Sequence, residues 1–402
     1  MASAHNPDQN DTIAAVSTPP GRGGIGIVRL SGPDARAVAA PMLRLRHPLA
    51  AGRARFAQIV DIDANNEVLD EAVVTFFEAP RSYTSEDIVE IAAHGSPVLL
   101  DSLLRACLRN GARLAEPGEF TQRAFLSGRL DLTQAEAVRD LIESTTLHQA
   151  RLAARQLGGS LSRQIAPVKE KLVHLIAALE AGIDFAEDDI DLLAASEIDA
   201  QIEAIAAPLT ALERTFAYGR IVRDGFTLAI VGRPNAGKSS LFNRLVERDR
   251  AIVTAAPGTT RDLVTESVSL EGIPVELVDT AGLRDAVDEA ESLGIAKSRE
   301  AMAEADIVLL VLDATRPLHP EDRAAIAAHA GRPLLIAFNK RDLVPDADLN
   351  AISGAASDAA RERIPNLAAE AAPGTGAAAV VSTSALTGEG LPELRRAILR
   401  LV

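Results

Sequence analysis

The sequence predicts a multidomain α/β protein, because the spacing of apolar residues changes twice along its 402 residues. Up to about residue 115, short apolar runs of strand length are separated by turns. From 130 to about 217 the apolar period becomes helical, and from about 221 to 386 apolar strands alternate with helical segments. A chain of this length can form two or three domains, each with its own core.

The first region predicts a small α+β domain. A helix at about 97–109 is expected to cover the candidate strands, which are 12–16, 25–30, 56–62, 72–77 and 88–92. Residues 1–10 lack a basic stretch followed by an apolar core, so we expect a disordered tail and no signal peptide. The segments 19–26, 81–87 and 116–125 place glycines or turns beside charged residues. Such segments can form a ligand pocket or simply connect strands, and the pattern leaves both open.

The second region predicts three or four helices rich in Ala, Leu and Ile. Gly158, Gly159, Pro167 and Pro208 are expected to separate them. An acidic cluster at 184–191 could indicate a metal site. Its spacing matches no ion-binding loop, so a solvated connection between helices is favoured.

Composition excludes several classes of protein. A net charge of −15 argues against nucleic-acid binding through an overall basic surface. Residues 20–55 nevertheless contain seven arginines and one acid, Asp34, and this local basic face could hold an anionic ligand, RNA phosphates or only water. The single cysteine, Cys107, rules out an internal disulfide. No apolar run approaches the roughly 20 residues of a membrane helix, and we expect a cytoplasmic protein without a membrane partner.

The strongest single motif follows the apolar run 226–231. Residues 232–239 (GRPNAGKS) have the spacing GxxxxGKS and precede a helix that opens at Ser239. Glycines let backbone N–H groups converge on phosphates at a helix N-terminus, which already favours anions. Lys238 would reach the outer phosphates and the Ser239 hydroxyl would bind Mg²⁺. The alternative is a chance match in a loop between strand and helix.

Four further motifs follow in order at the ends of predicted strands and make that alternative remote. They are TTRD at 259–262, DTAG at 279–282, NKRD at 339–342 and SAL at 384–386. Asp279 is expected near the metal, and the Gly282 N–H near the terminal phosphate. Asp342 can accept from both N–H donors of guanine, and adenine would leave this carboxylate, expected to be buried, unpaired. The set predicts a GTPase on a mostly parallel, doubly wound sheet.

The position that holds the water-orienting residue in many small GTPases is occupied by a different residue type in this chain. Those GTPases place a glutamine directly after the DTAG-type motif, whereas this chain has Leu283. The segment 284–291 supplies several carboxylates instead. No internal arginine finger is evident, although Arg261 and Arg284 are candidates. The Asn235 amide oxygen could coordinate a monovalent cation beside the phosphates.

Nearly the whole chain, from Asp11 to about Leu399, resembles the MnmE (TrmE) family of tRNA-modification GTPases. The motifs that carry the resemblance include TPPGRGGIGIVRLSG, RSYTSEDIVEIAAHG, EPGEFTQRAFLSGRLDLTQAEAV, GRPNAGKSSLFN, IVTAAPGTTRD, DTAGLRDAVDEAESLGI and NKRD. The N-terminal motifs are specific to that family, whereas the others are shared among GTPases.

The resemblance implies a domain order. It comprises a disordered tail at 1–10, an α+β tetrahydrofolate-binding and dimerisation domain at 11–128 and a helical domain at 129–219. An inserted doubly wound Ras-like GTPase domain follows at 220–388, and 389–402 begins the C-terminal helical part. The family would use GTP, Mg²⁺, K⁺ and a 5,10-methylene or 5-formyl tetrahydrofolate. Its homodimers would join an FAD-containing protein of the MnmG (GidA) family in a heterotetramer, and modify carbon 5 of the wobble uridine of certain tRNAs.

Site residues carry over by position. The resemblance assigns catalysis to Glu291, Lys238 and Gly282, Mg²⁺ to Ser239 and Thr260, and folate binding to Arg29, Glu90 and Arg129. It assigns K⁺ to Asn235 with Thr254, Ala256 and Thr259, in place of an arginine finger. The expected GTP contacts are Asn235, Ala236, Gly237, Lys238, Ser239, Ser240, Thr254, Thr259, Thr260, Asp279, Thr280, Ala281, Gly282, Asn339, Lys340, Asp342, Ser384 and Ala385.

Two positions and the C-terminal motif depart from the family pattern. Arg129 replaces a usual lysine, and Ser96 replaces the second glycine of a His-Gly-Gly. Family members continue to a terminal Cys-x-Gly-Lys, which this sequence lacks. An alternative is therefore a GTP-controlled switch or scaffold without modification activity. A ribosome-assembly GTPase would share the GTPase motifs but would not explain the first 130 residues.

Overall fold

The computed structural model describes residues 11–62, 64–184, 194–249, 264–279, 305–328, 333–345 and 379–402. The chain divides into two compact units. The first comprises Met1–Arg139 with Arg155–Arg163, and the second Asp140–Ala154 with Gln164–Val402.

The first unit is built on a seven-stranded sheet in the order β3-β4-β5-β6-β2-β1-β7. Neighbouring strands are antiparallel except for the parallel pair β1 and β7. Alternating buried and exposed residues along each strand direct one face of the sheet to the core. The strands are β1 (Ile13–Val16), β2 (Gly23–Ser31), β3 (Leu43–Leu45), β4 (Arg53–Asp61), β5 (Glu67–Phe77), β6 (Ile88–Gly95) and β7 (Arg113–Leu114).

The sheet packs against helix α2 (Pro97–Arg109), whose predicted bounds are confirmed. Its buried residues Leu100, Leu103 and Cys107 follow helical spacing. The helix lies so close to β2 that a Cβ on Gly26 would be 2.4 Å from a Leu100 methyl carbon. The short elements β3, β7, α1 (Ala35–Ala39) and α3 (Glu119–Leu126) were not predicted.

The helical region contains α4 (Leu132–Glu143), α5 (Leu147–Leu157), α6 (Ser160–Asp184), α7 (Ala195–Glu213) and α8 (Phe216–Asp224). The predicted break at Gly158 and Gly159 is confirmed between α5 and α6, and Gly159 has a φ of +78°. Helices α6 and α7 meet through the buried side chains of Val168, Leu175 and Ile205.

The prediction that Pro167 and Pro208 separate helices is wrong, because they lie inside α6 and α7. An interior proline removes one backbone hydrogen bond and costs about 3 kcal/mol. Burial of Val168 beside one proline and Ile205 near the other offsets part of that cost. Tertiary packing therefore overrides the local preference here.

The second unit contains a six-stranded sheet in the order β13-β12-β11-β8-β10-β9. All neighbouring pairs are parallel except β9 with β10, so the prediction of a mostly parallel sheet is confirmed. The strands are β8 (Phe226–Val231), β9 (Val264–Leu270), β10 (Ile273–Asp279), β11 (Ile307–Asp313), β12 (Leu334–Asn339) and β13 (Ala379–Ser382).

Both faces of this sheet are buried, as expected for parallel strands. On one face, Leu228 and Ile230 share a core with residues of α9 (Lys238–Asp249) and α11 (Leu391–Arg400). On the other, Leu310 and Phe338 pack with Ile326 of α10 (Pro320–Ala328). The carboxyl ends of β8, β11 and β12 therefore meet at one edge, where ligands of such sheets bind.

Among the described ranges, no helix is long and apolar enough to cross a membrane. The predicted tail at 1–10 and most of the acidic cluster at 184–191 lie outside those ranges.

Candidate functional site

The turn between β8 and α9 has the backbone that a phosphate loop requires. Gly232, Asn235 and Gly237 have φ values of +147°, +62° and +91°. A Cβ on Gly232 would lie 2.3 Å from the Val311 carbonyl oxygen, so only glycine fits beside β11. Consecutive turns of this kind direct backbone N–H groups toward one point and form an anion-binding concavity.

The first turn of α9 places a cation and hydroxyls at that concavity. Lys238 is 8% exposed, and its Nζ donates a 3.0 Å hydrogen bond to the Arg233 carbonyl oxygen of the same turn. Ser239 and Ser240 follow it and are exposed, as is Asn235. The helix N-terminus adds a favourable partial positive charge. These residues can therefore hold polyphosphate.

Asn339 at the end of β12 joins this turn to a second loop. Its Nδ2 donates to the Ala236 carbonyl oxygen at 3.0 Å, and its Oδ1 accepts from the Ala385 N–H at 3.0 Å. The side chain is 2% exposed. A Cβ on Gly237 would lie 2.1 Å from Nδ2 of Asn339. One buried amide thus sets the spacing between the phosphate turn and residues 384–386.

The residues after Asn339 present a cation and a carboxylate. Lys340 has a φ of +67° and its Nζ lies 2.6 Å from Oδ2 of Asp313 at the end of β11. Burial opposes ionisation of Asp313, but the hydrogen bonds from Lys340 and Thr315 outweigh it, so the pKa of this carboxyl lies below its ordinary value. Asp342 is exposed. The expectation of a buried carboxylate is therefore wrong for the protein alone, and Asp342 is open to a ligand.

The loop after β13 is held by the backbone on both sides. The Thr383 N–H donates to the Phe338 carbonyl oxygen at 2.7 Å, and the Arg341 N–H donates to the Thr383 carbonyl oxygen at 3.0 Å. Ser384 is fully buried, and its N–H donates to the Glu389 carbonyl oxygen at 2.9 Å. Ser384 and Ala385 therefore lie in a fixed loop beside 339–342, and their role beside a base stays a prediction.

Two residues that hold this site were not singled out from the sequence. Arg244 of α9 donates through Nε to the Ala385 carbonyl oxygen at 2.9 Å and through Nη2 to the Leu386 carbonyl oxygen at 2.7 Å. Asp313 holds Lys340. A signal existed for Asp313, because a polar residue that ends an apolar strand of a parallel sheet lies at the ligand edge. An arginine six residues after Lys238 carries no such signal.

Several predicted residues lie outside the described ranges. They are Thr254, Ala256, Thr259, Thr260, Thr280, Ala281, Gly282 and Glu291. Asp279 ends β10, as predicted. Of the predicted Mg²⁺ and K⁺ ligands, only Ser239 and Asn235 are placed, and their hydroxyl and amide oxygens suit hard cations. Within the described part of the chain, no three His, Cys, Asp or Glu residues form a metal cluster.

The predicted folate residues lie in the first unit. Arg29 of β2 and Glu90 of β6 are register partners, and Nη2 of Arg29 lies 2.7 Å from Oε1 of Glu90. The Arg29 guanidinium carbon is 5.8 Å from the Tyr83 ring centroid and 5.6 Å from that of Phe120. Arg129 is exposed in the turn after α3. The structure thus joins Arg29 to Glu90 and, among the described residues, shows no hydrogen bond or ion pair from either to Arg129.

A network of charges fixes helix α3 and its preceding loop beside this pair. Glu119, 3% exposed, accepts from Arg113 at 2.6 Å and from Arg123 at 3.0 Å, and Arg123 also contacts Asp11 and Glu86. Burial opposes ionisation of Glu119, but hydrogen bonds from Arg113, the Glu116 N–H and Arg123 outweigh it. The pKa of Glu119 is therefore below its ordinary value.

Comparison with known families decides the assignment. Residues 12–129 match the model described as GTP-binding protein TrmE N-terminus, and residues 132–402 match the MnmE helical domain. The chain belongs to the MnmE family. The relative named tRNA modification GTPase MnmE from Koribacter versatilis (strain Ellin345) is 59% identical over 397 residues, covering 98% of this chain and 82% of the relative. The MnmE of Listeria innocua serovar 6a is 43% identical over 392 residues, covering 97% and 82%.

MnmE membership confirms the resemblance seen in the sequence and supports the prediction of a GTP hydrolase. Because the matched relatives are named tRNA modification GTPases, the alternative of a switch without modification is not favoured. Among solved structures, Aquifex aeolicus Era bound to GDP·AlF4⁻ is 27% identical, with a TM-score of 0.33, over 44% of this chain and 56% of that chain. A TM-score of that size adds nothing to the assignment.

Proposed function

We propose that this chain is a K⁺-dependent GTPase that modifies carbon 5 of the wobble uridine, position 34, in certain tRNAs. It would act in the cytoplasm as a homodimer joined through the N-terminal domain, in a heterotetramer with an FAD-containing protein of the MnmG (GidA) family. The observation that carries the proposal is the Asn339 bridge between the phosphate turn and the 384–386 loop, within a chain matched to MnmE along nearly its whole length.

The geometry supports GTP in particular. The positive-φ turn at 232–237 and the N-terminus of α9 suit phosphates, and Lys238 adds a cation. Asp342, exposed beyond Lys340, would accept the two N–H donors of guanine, which adenine cannot match. Arg244 and Asn339 fix the loop that would lie beside the base.

Hydrolysis would depend on positioning and charge stabilisation, since the protein forms no covalent bond to the phosphate. Lys238 would hold the outer phosphates, and the Gly282 N–H would contact the terminal one. Glu291 would organise the attacking water in the absence of a glutamine after the DTAG motif. Ser239 and Thr260 would hold Mg²⁺, and Asn235 with Thr254, Ala256 and Thr259 would hold K⁺. The K⁺ would supply the charge stabilisation that an arginine finger provides elsewhere.

The N-terminal domain would bind a 5,10-methylene or 5-formyl tetrahydrofolate, which supplies the one-carbon unit. Glu90 can accept N–H donors of the pterin, and Arg29 can pair with an anionic or carbonyl group. The Tyr83 and Phe120 rings near Arg29 suit a flat heteroaromatic ligand. Arg129 retains the positive charge expected at its position.

The proposal is tested with purified chain, its FAD-containing partner, a tetrahydrofolate donor and unmodified tRNA. We expect modified uridine 34 only when GTP and K⁺ are present. A Lys238→Ala variant should abolish both GTP hydrolysis and modification, whereas Lys169→Ala, in helix α6, should retain both. Absence of modified uridine from the unmutated reaction, despite GTP hydrolysis, would contradict the proposal.

The role of the cation has its own test. Asn235→Ala should remove the stimulation of hydrolysis by K⁺ over Na⁺ and largely spare nucleotide binding. The substitution removes the side-chain amide but leaves the backbone N–H groups of the phosphate turn. Equal hydrolysis rates in K⁺ and Na⁺ for the unmutated protein would refute the cation hypothesis.

A further inference from the structure

Four arginines of the first unit lie around one end of its sheet and together form the arginine edge: Arg36, Arg46, Arg53 and Arg55. Arg53 and Arg55 open β4, two residues apart, so they lie on the same face about 7 Å apart. Arg53 is the register partner of Phe76 on β5. The Arg36 guanidinium carbon lies 4.8 Å from the centroid of the same Phe76 ring.

The edge is accessible because its neighbouring strand is short. Strand β3 ends at Leu45, which pairs with Ala57, so residues 53–56 of β4 have no strand beside them on that side. Arg46 follows β3 directly and therefore emerges next to this open part of β4. Arg36, Arg46 and Arg53 are exposed, and Arg55 is half-buried.

In the part of the chain that the structure describes, these arginines lack the acidic partners that four other arginines of the first unit have, although Arg22, Arg44, Arg81 and Arg129 lack them as well. Arg29, Arg105, Arg113 and Arg123 each form an ion pair with a carboxylate. Across the described residues, no member of the arginine edge lies within ion-pair distance of an acid. The Nε of Arg55 is buried and has no hydrogen-bond partner there. A buried guanidinium N–H without a partner costs free energy.

We propose that the arginine edge binds the phosphate backbone of tRNA. The inference rests on the proposed function, and it adds the surface on which the substrate would lie. The four arginines come from three segments around the open end of β4, namely α1, the residue after β3 and β4 itself. This spread suits a chain of phosphates better than a single small anion. The chain carries a net charge of −15, so RNA would need a local cluster of unpaired cations rather than the general surface.

The test measures binding of fluorescently labelled, unmodified tRNA by anisotropy at roughly 50–300 mM salt, a range chosen because phosphate contacts are salt-dependent. The variant Arg46→Gln, Arg53→Gln, Arg55→Gln leaves Arg36 on Phe76, so the core contact is kept. We expect at least about tenfold weaker binding near 150 mM salt and a log–log salt slope smaller by about 2, since each phosphate contact contributes about 0.7–0.9.

Two matched variants separate charge from fold. Arg105→Gln, Arg151→Gln, Arg155→Gln removes the same charge from exposed positions of α2 and α5 and should bind tRNA as the unmutated chain does. The variant Arg46→Lys, Arg53→Lys, Arg55→Lys should keep most of the salt slope of the unmutated chain. If the glutamine variant of the edge binds tRNA with unchanged affinity and slope, the inference is overturned.

Two further outcomes are informative. Light scattering measures whether the edge variant is still a dimer. If the variant loses affinity for tRNA and its dimer has dissociated, the edge is a contact between copies and the inference is overturned. If the unmutated chain does not bind tRNA, the arginine edge is overturned, whereas the proposed function is judged separately by modified uridine in the reaction that contains the partner protein. Unmutated binding combined with unaltered binding by the edge variant would overturn only the arginine edge.

Discussion

Lys340 is held by Asp313, with Nζ 2.6 Å from Oδ2 across the carboxyl ends of β12 and β11. Those two strand ends are also joined by backbone, since the Ala314 N–H donates to the Asn339 carbonyl oxygen at 2.9 Å. Asp313 in turn accepts from the N–H and hydroxyl of Thr315. The carboxylate thus fixes the side chain next to Asn339 before any nucleotide binds.

Asp313→Asn should therefore weaken GTP binding about tenfold, because a hydrogen bond to a charged group contributes roughly 1.5–3 kcal/mol. Titration with a fluorescent GTP analogue measures the change. Asp306→Asn is the matched control, since Asp306 lies just before β11, at the other end of the strand, and accepts from the Thr227 N–H. Equal dissociation constants for the Asp313→Asn variant and the unmutated chain would show that Asp313 does not position Lys340.

The 383–390 loop offers a comparison of two glycines with similar backbones. Gly390 has a φ of +76°, and a Cβ there would lie 2.0 Å from the Ser382 carbonyl oxygen. Gly388 has a φ of +85°, and its nearest neighbour would be 3.9 Å away. Gly390→Ala should displace the loop and weaken GTP binding more than about tenfold, whereas Gly388→Ala should add only about 1–2 kcal/mol of backbone strain. Similar GTP affinities of the two variants would contradict a fixed loop.

Base recognition is tested at Asp342. Asp342→Asn should weaken GTP binding by up to roughly 10⁴-fold, because a site built for two N–H donors loses its acceptor. The same change should admit xanthosine triphosphate, whose base offers a carbonyl in place of the guanine amino group. Competition between the two triphosphates measures the preference, and an unchanged preference would exclude Asp342 from base recognition.

Glu119 predicts a dependence on pH in the first unit. Because the pKa of Glu119 is depressed in the folded chain, its ionised carboxylate stabilises the fold. This stabilisation is fully present above the ordinary glutamate pKa of about 4.3 and is lost as the pH falls through the lower pKa of the folded state. Glu119→Gln should lower stability at pH 7 by about 3–5 kcal/mol, the usual cost of breaking a buried ion pair. The difference from the unmutated chain should shrink toward pH 3.

Scanning calorimetry of the full chain between pH 3 and 7 follows this effect. Glu116→Gln is the control, because Glu116 is exposed three residues away. If the difference in stability between the Glu119→Gln variant and the unmutated chain were the same at pH 3 and pH 7, the carboxylate charge would not be the cause of that difference.

The places of the phosphate-turn and NKRD residues in the fold could be predicted well from the sequence because their motifs are local. A glycine spacing that fixes the backbone, and polar residues that end apolar strands, place their own side chains at one sheet edge. The strand at 226–231 and the helix at 97–109 have the predicted bounds for the same reason.

What could not be predicted depends on contacts between distant residues. Arg244 contacts a loop some 140 positions later, and nothing near Arg244 in the sequence indicates that partner. Pro167 and Pro208 were predicted as helix breaks because local preference was the only guide, whereas packing between α6 and α7 decides their conformation. The buried network around Glu119 likewise joins segments that are far apart in the chain.

The most direct measurement of the central claim is nucleoside mass spectrometry of tRNA from cells that lack their own MnmE family member and express this 402-residue chain. We predict that modified wobble uridine reappears with the unmutated chain and not with Lys238→Ala. Uridine that stays unmodified, although the purified chain hydrolyses GTP and the partner protein is present, would contradict the assignment of tRNA modification to this protein.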